Sequence, residues 1–247
     1  MGLSPNVEAE RGTLIRRICL DLTGLPAEMS LLKRYSDADN ANWYEDLVDE
    51  LLASDHYGEH MARFWLDAAR YADTHGLHLD NYREMWLYRD WVIDAFNSNL
   101  PYSDFVIHQI AGDLLPQPTT NQLIATGFNR AHVTTNEGGS ILEEIRVRNV
   151  VDRVSTTGTV FMGLTLGCAQ CHDHKYDPIS QKDFYSMYAF FNSLDANAMD
   201  GNIKDHPPIL RQFDEEENKQ LSAWKTDRDS LKNEIAALIN ELSLIHI

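Results

Sequence analysis

Cysteine is scarce in this chain of 247 residues, with three in total. That excludes a small scaffold stapled by several disulfides. Basic residues are outnumbered, 21 against 38 acidic ones, for a formal charge of −17. A phosphate backbone or an anionic membrane would be repelled over most of such a surface, so nucleic-acid binding is excluded as a main role. Long apolar runs are also missing, and nothing here is long enough to span a bilayer. The first residues, Met1-Gly2-Leu3-Ser4-Pro5, lack the basic and apolar regions of a secretory signal. What remains is ordinary: 43% hydrophobic residues, enough in a chain of this length for a substantial core.

Two of the three cysteines fall in Cys168-Ala169-Gln170-Cys171-His172. This is the spacing by which c-type haem is attached. Thiols three positions apart lie about one helical turn from each other and reach one edge of a porphyrin. The following imidazole then presents a neutral nitrogen to the iron. Two other chemistries use the same residues. A zinc site could be drawn from Cys168, Cys171, His172 and His174, although zinc ligands usually come as pairs from distant segments. A dithiol redox pair would need a preceding strand in a βαβ setting, and none is indicated before Cys168. The predicted cofactor is haem c, with Cys168 and Cys171 as attachment points and His172 as proximal iron ligand. Covalent haem attachment implies an exported, periplasmic or extracytoplasmic protein. The expectation is therefore a fragment whose export signal lies upstream.

The sixth iron ligand separates electron transfer from catalysis, because an open site permits peroxide or oxygen chemistry. His75, His78, His132 and Met187 are the candidates. His174, Lys175 and Tyr176 are expected near the haem edge. A second, polar set could be catalytic or architectural: Asp67, Arg70, Asp73, Arg89, Asp90, Asp113, Glu137, Glu143, Arg146, Asp152 and Arg153. Buried ion-pair networks more commonly fix helices than perform chemistry.

Helical periodicity dominates the rest. Leu14, Ile15, Ile18, Cys19 and Leu22 share a face closed by Gly24, which makes Cys19 a small buried apolar residue. Trp43, Leu47 and Leu51 form a second stripe. Tyr57, Met61, Phe64, Trp65, Ala68 and Ala72 form a third, and Tyr88, Trp91, Val92, Ala95 and Phe96 a fourth. Pro101 opens a helix, and Leu123 and Ile124 sit in a short one ending at Gly127. Ser140 and Glu143 have capping-box spacing, which predicts a helix from Ile141 towards Phe161. Ser180 caps a helix carrying Phe184, Tyr188 and Phe191. Leu221, Trp224, Leu231, Ile235, Leu238 and Leu242 follow a heptad seam interrupted by Arg228. The predicted fold is mainly α, an irregular multi-helix domain with long loops over residues 1–205. A linker and a charged, coiled-coil-like helix follow over 206–247.

The chain resembles the planctomycete-type cytochrome c domain family, a domain of unknown function in large secreted bacterial proteins. The likeness is carried by Arg16-Arg17-Ile18-Cys19-Leu20-Asp21-Leu22-Thr23-Gly24-Leu25-Pro26, by Trp65 to Asp73, by Tyr88 to Ile93, by Ala111 to Pro116 and by Ile124 to Phe128. The run Gly163 to Ile179 around the cysteines is its most specific part. The resemblance implies haem binding, export, and as partner a redox protein or an upstream cytochrome domain of the same polypeptide. It implies no reaction. Electron transfer, a haem-dependent enzyme acting on a polar substrate, a carbohydrate-related one included, and a cell-surface interaction scaffold all stay open at this point.

Overall fold

A computed structural model describes residues 6–245, with side chains through 241. Residues 1–5 and the side chain of the seam residue Leu242 lie outside what is described. The chain is mainly helical, as expected, and among the described residues the only β pairing is two isolated bridges, Thr74 with Tyr82 and Gly76 with Thr134.

Ten α-helices account for most of the described residues: α1 (Arg11–Thr23), α2 (Met29–Ser36), α3 (Trp43–Leu52), α4 (Asp55–Ala68), α5 (Trp86–Asn97), α6 (Tyr102–Ala111), α7 (Thr120–Ala125), α8 (Leu142–Thr157), α9 (Gln181–Asn192) and α10 (Glu215–Ile245). One compact unit extends to Pro208 and a second begins at Ile209. The second unit holds α10, on which Trp224, Leu231, Ile235 and Leu238 are exposed. Arg228 leaves the seam polar and bonds Asp229.

The first unit buries its apolar residues in three clusters. The first joins α1 to α3 through Ile15, Cys19, Tyr35, Leu47 and Leu51. Gly24 ends α1 in the left-handed region at φ 69°, where its N–H reaches the Leu20 carbonyl; glycine adopts this conformation without a Cβ penalty. The second cluster packs α4 on α5 and both on α6 and α7, around Trp91, Val92, Phe105 and Phe128. The third packs α8 on α9 through Val150, Val154, Phe184 and Phe191.

Two expectations need correction. The α4 stripe is turned: Phe64 and Ala68 are exposed, and Gly58, Ala62 and Ala69 are buried instead. Small residues face α5 because the two backbones approach closely there. A methyl group on Gly58 would lie 2.5 Å from the Ile93 carbonyl oxygen and 2.4 Å from Asn97 Oδ1. Gly58→Ala is accordingly expected to destabilise the protein by about 2 kcal/mol, the order seen for overpacking. A denaturant midpoint equal to that of the parent would refute the close crossing.

The second correction concerns α8, whose Ser140–Glu143 capping box does not form. The helix starts at Leu142 with Ile141 at its N-cap and no side-chain cap bond. Glu143 instead pairs with Arg146. After Thr157 the helix widens into a π-turn over Gly158–Met162. Gly158 is buried there, and a Cβ on it would strike Leu166 at 2.4 Å. Ser180 does cap α9, in a reciprocal pair with Asp183.

Candidate functional site

The chain leaves the π-turn through Gly163, at φ 65°, and forms a short 3₁₀ helix over Leu166–Gln170. In this tighter helix residues i and i+3 eclipse one another. Leu166 and Ala169, 5% and 0% exposed, therefore share the inner edge and pack into the third cluster. Cys168 lies within this turn and Cys171 is its C-cap. Both are exposed, and neither is in a disulfide. The burial of two apolar side chains thus leaves the two cysteines on the solvent side.

His172 follows on the surface, its Nδ1 2.7 Å from the Asp173 carbonyl oxygen. A carbonyl only accepts, so Nδ1 carries the proton and Nε2 keeps its lone pair. This orientation by a hydrogen bond at the other nitrogen is what metal-binding imidazoles use. The loop behind is clasped to α9: Asp173 Oδ1 accepts from the Gln181 N–H at 2.7 Å, and the Gln170 carbonyl accepts from Gln181 Nε2 and the Tyr185 hydroxyl, each at 3.1 Å. His174 Nδ1 accepts from the backbone N–H groups of Tyr176 and Asp177. His174 is therefore a loop organiser, while Lys175 and Tyr176 are exposed with the ammonium over the ring.

Beside the cysteine turn is a hollow of about 200 Å³, lined by apolar residues that include Met162, Leu164, Leu166, Ile179, Phe184 and Met187, and by Asp183. The exposed thiols of Cys168 and Cys171 and the imidazole of His172 are the groups that the haem c expected from the sequence would use, and none of the three lines this hollow. Cys168 and Cys171 would hold the haem, and His172 would ligate its iron. Among the described residues no three His, Cys, Asp or Glu side chains gather as a site for a bare metal ion.

Of the four residues considered as sixth ligand, Met187 alone lines this hollow. His78 sits exposed on a surface turn at φ 58°. His75 is buried with both nitrogens engaged, Nε2 to the Ile203 carbonyl at 2.9 Å and Nδ1 to Thr134 Oγ1 at 3.1 Å. His132 is buried as well. Its Nδ1 donates to the Val133 carbonyl, and its Nε2 accepts from Arg153 Nη2 at 2.8 Å.

The polar set separates into two kinds. Asp67, Asp113 and Glu137 are exposed, and Arg89 pairs with its neighbour Asp90. Asp73 accepts from the Tyr71 hydroxyl, and Arg146 bridges Glu143 and Asn192. Arg70 and Asp152 instead form a partly buried ion pair at 2.8 Å, next to Arg153, which donates to the Asn129 carbonyl. Arg153 opens onto a polar centre that the sequence reading missed: Arg83, Arg130, Thr134, Asp200 and His206. None of these lies on an apolar stripe, so periodicity carries no signal for them.

In that centre Thr134 donates to Asp200 at 2.8 Å, and Arg130 Nη2 donates to His206 Nδ1 at 2.7 Å and to its carbonyl at 2.9 Å. Burial, then the Arg130 guanidinium and the His75 ring, pull His206 down to about 4, with Asp200 opposing and Arg83 assisting. Burial and Arg153 hold His132 well below the usual range.

A histidine with a lowered pKa in the fold takes up its proton first in the unfolded chain. The unfolded state then binds more protons between about pH 4 and 6.5, and stability falls as pH drops through that window. The fall is expected to be shallower in His206→Gln, whose amide oxygen still accepts from Arg130. Urea midpoints at pH 7 and pH 4.5 check this, and parallel pH slopes in both proteins would contradict it.

No curated protein and no solved structure matches the chain, and no described helix is long and apolar enough to cross a membrane. A family model does match, over residues 1–196: PSCyt2, described as a protein of unknown function (DUF1549). That span contains every helix from α1 to α9, the buried polar residues up to His132 and Arg153, and the cysteine turn itself. The chain belongs to the PSCyt2 family.

Proposed function

We propose that this is the c-type haem-binding module of an exported bacterial protein, and that its role is to pass single electrons. The observation that carries the reading is the exposure of unpaired Cys168 and Cys171, within and at the end of the Leu166–Gln170 turn, followed directly by an imidazole held by its Nδ1. When bound, haem c supplies a reversible one-electron couple at its iron. The work of the protein is positional. Leu166 and Ala169 anchor the turn, the Asp173 carbonyl fixes the His172 tautomer, and Gln181 and Tyr185 hold the loop against α9.

Met187 is the residue that would supply the sixth ligand. Met187 lines the apolar hollow, while His75 and His132 have no free nitrogen to offer. A haem held by His and Met, with the apolar hollow restricting water, favours electron transfer over oxygen chemistry. The partner would be a redox protein or a cytochrome domain of the same polypeptide, and the compartment one outside the cytoplasm.

The test is an absorption spectrum, oxidised and reduced, together with the intact mass of the chain exported alongside haem-attachment machinery. A reduced α-band and a mass raised by one tetrapyrrole are expected, and Met187→Leu should change the oxidised spectrum while Met162→Leu leaves it alone. A colourless protein of bare polypeptide mass would discard the reading. An unchanged Met187→Leu spectrum would discard the sixth-ligand assignment.

A further inference from the structure

The second unit carries an inference that does not depend on haem. Along α10 the seam Leu221, Trp224, Arg228, Leu231, Ile235 and Leu238 advances by alternating steps of three and four. Trp224, Leu231, Ile235 and Leu238 are each 55 to 65% exposed. Apart from Ile239, every large apolar residue among the described side chains of this helix lies on that seam. Two apolar positions in seven make a stripe narrower than a globular surface covers, and they match the seam that one other helix fills.

The flanking charges identify that helix. With Leu221, Arg228 and Ile235 at heptad position a and Trp224, Leu231 and Leu238 at d, Gln220, Asp227, Glu234 and Glu241 fall at g. Lys225, Lys232 and Ile239 fall at e. No g residue is basic and no e residue is acidic. Two copies running antiparallel pair g with g and e with e, so no register brings opposite charges together. Two copies running parallel pair each g residue with the e residue five positions on in the partner, which sets Asp227 against Lys232 on both sides of the seam. We infer that α10 is one strand of a parallel, in-register, two-stranded coiled coil whose other strand is α10 of a second copy of this chain.

The seam residues select the number of strands and the register. Ile235, β-branched, sits at a between Leu231 and Leu238 at d, the combination that favours two strands. Arg228 bonds Asp229 in the single copy. In a pair its stem covers the seam while its guanidinium reaches out towards Asp227 of the other copy; a three- or four-stranded assembly would enclose it. A slipped alignment would set Arg228 against an apolar a residue, so this one charged position fixes the register.

The test is sedimentation equilibrium of the full chain over a dilution series. At about 0.15 M salt, screening over about 8 Å weakens the repulsion between copies that each carry −17, while contact pairs persist. A monomer–dimer equilibrium is expected, and Leu231→Asp should abolish it. Because Leu231 is exposed in the single copy, that variant keeps its fold, which circular dichroism checks. Asp227→Lys and Lys232→Glu should each weaken the dimer about tenfold, since two attractions become two repulsions. An equimolar mixture of those two variants restores opposite charges at both contacts and should recover the parent's affinity. A chain monomeric at every concentration overturns the proposal and leaves the seam to a helix of another kind. A dimer that survives Leu231→Asp overturns it too, as do charge variants that dimerise as tightly as the parent. None of these outcomes touches the absorption spectrum on which the haem reading stands.

Discussion

The double substitution Cys168→Ala, Cys171→Ala is expected to remove all covalently held haem while leaving the fold intact. Both cysteines are exposed, and neither belongs to a hydrophobic cluster. Their loss should change stability by no more than about 0.5 kcal/mol, as for surface substitutions away from special features. The contrast is Cys19, 2% exposed and packed against Ile15 and Leu47. Cys19→Ser would bury a hydroxyl and should cost more than 1 kcal/mol with no effect on haem. Denaturing gels stained for haem, beside denaturant melts of the same preparations, check both halves. If the double variant kept its pigment through denaturation, the thiols would not be the attachment points. If it failed to fold, the turn would depend on its sulfurs in a way that exposure does not suggest.

Helices with a wide apolar stripe were legible in the sequence because burial alone makes the pattern. The stripes Ile15 with Cys19, Leu47 with Leu51 and Phe184 with Phe191 mark the buried faces of α1, α3 and α9. The α4 face was misplaced because periodicity weighs large side chains, and this helix buries its small ones against α5. Helix α2, unannounced in the sequence, buries one residue, Tyr35, whose hydroxyl reaches Glu50. For α8 the capping-box spacing was present, but Glu143 found Arg146 one turn along its own helix instead.

The cysteine site was legible for a different reason. Its residues are consecutive, so local geometry determines most of their arrangement: the short 3₁₀ turn that Cys171 caps, and the bond from His172 to the next carbonyl. The buried polar centre could not be read, since it joins residues as far apart as His75, Thr134 and Asp200 through single hydrogen bonds. Arginine in a loop looks solvated in a sequence. Arg83, in the loop before α5, is instead among the buried residues of the fold, 6% exposed.

Arg83→Met should destabilise the protein by about 3 kcal/mol, the largest loss expected from any single change in this centre. The side chain enters from the loop before α5 and meets four backbone carbonyls: Ala72 through Nε, Arg130 and His132 through Nη1, and Ala131 through Nη2, at 3.0 to 3.4 Å. One guanidinium thus terminates the backbone of residues 130–132 and ties it to the chain after α4. Burial opposes its charge and lowers its pKa, with Tyr71 and Asp73 acting the other way. Methionine would relieve that desolvation, but it would leave several carbonyl groups without donors, each costing on the order of 1 kcal/mol or more.

Arg83→Lys keeps the charge but loses the planar fork, and should recover less than half of the loss. The measurement is the guanidinium chloride midpoint at constant slope for all three proteins. A methionine variant within 1 kcal/mol of the parent would mean that these carbonyls find water readily and that Arg83 does not hold the loop. A lysine variant equal to the parent would mean that charge, and not the four-carbonyl geometry, is what the loop requires.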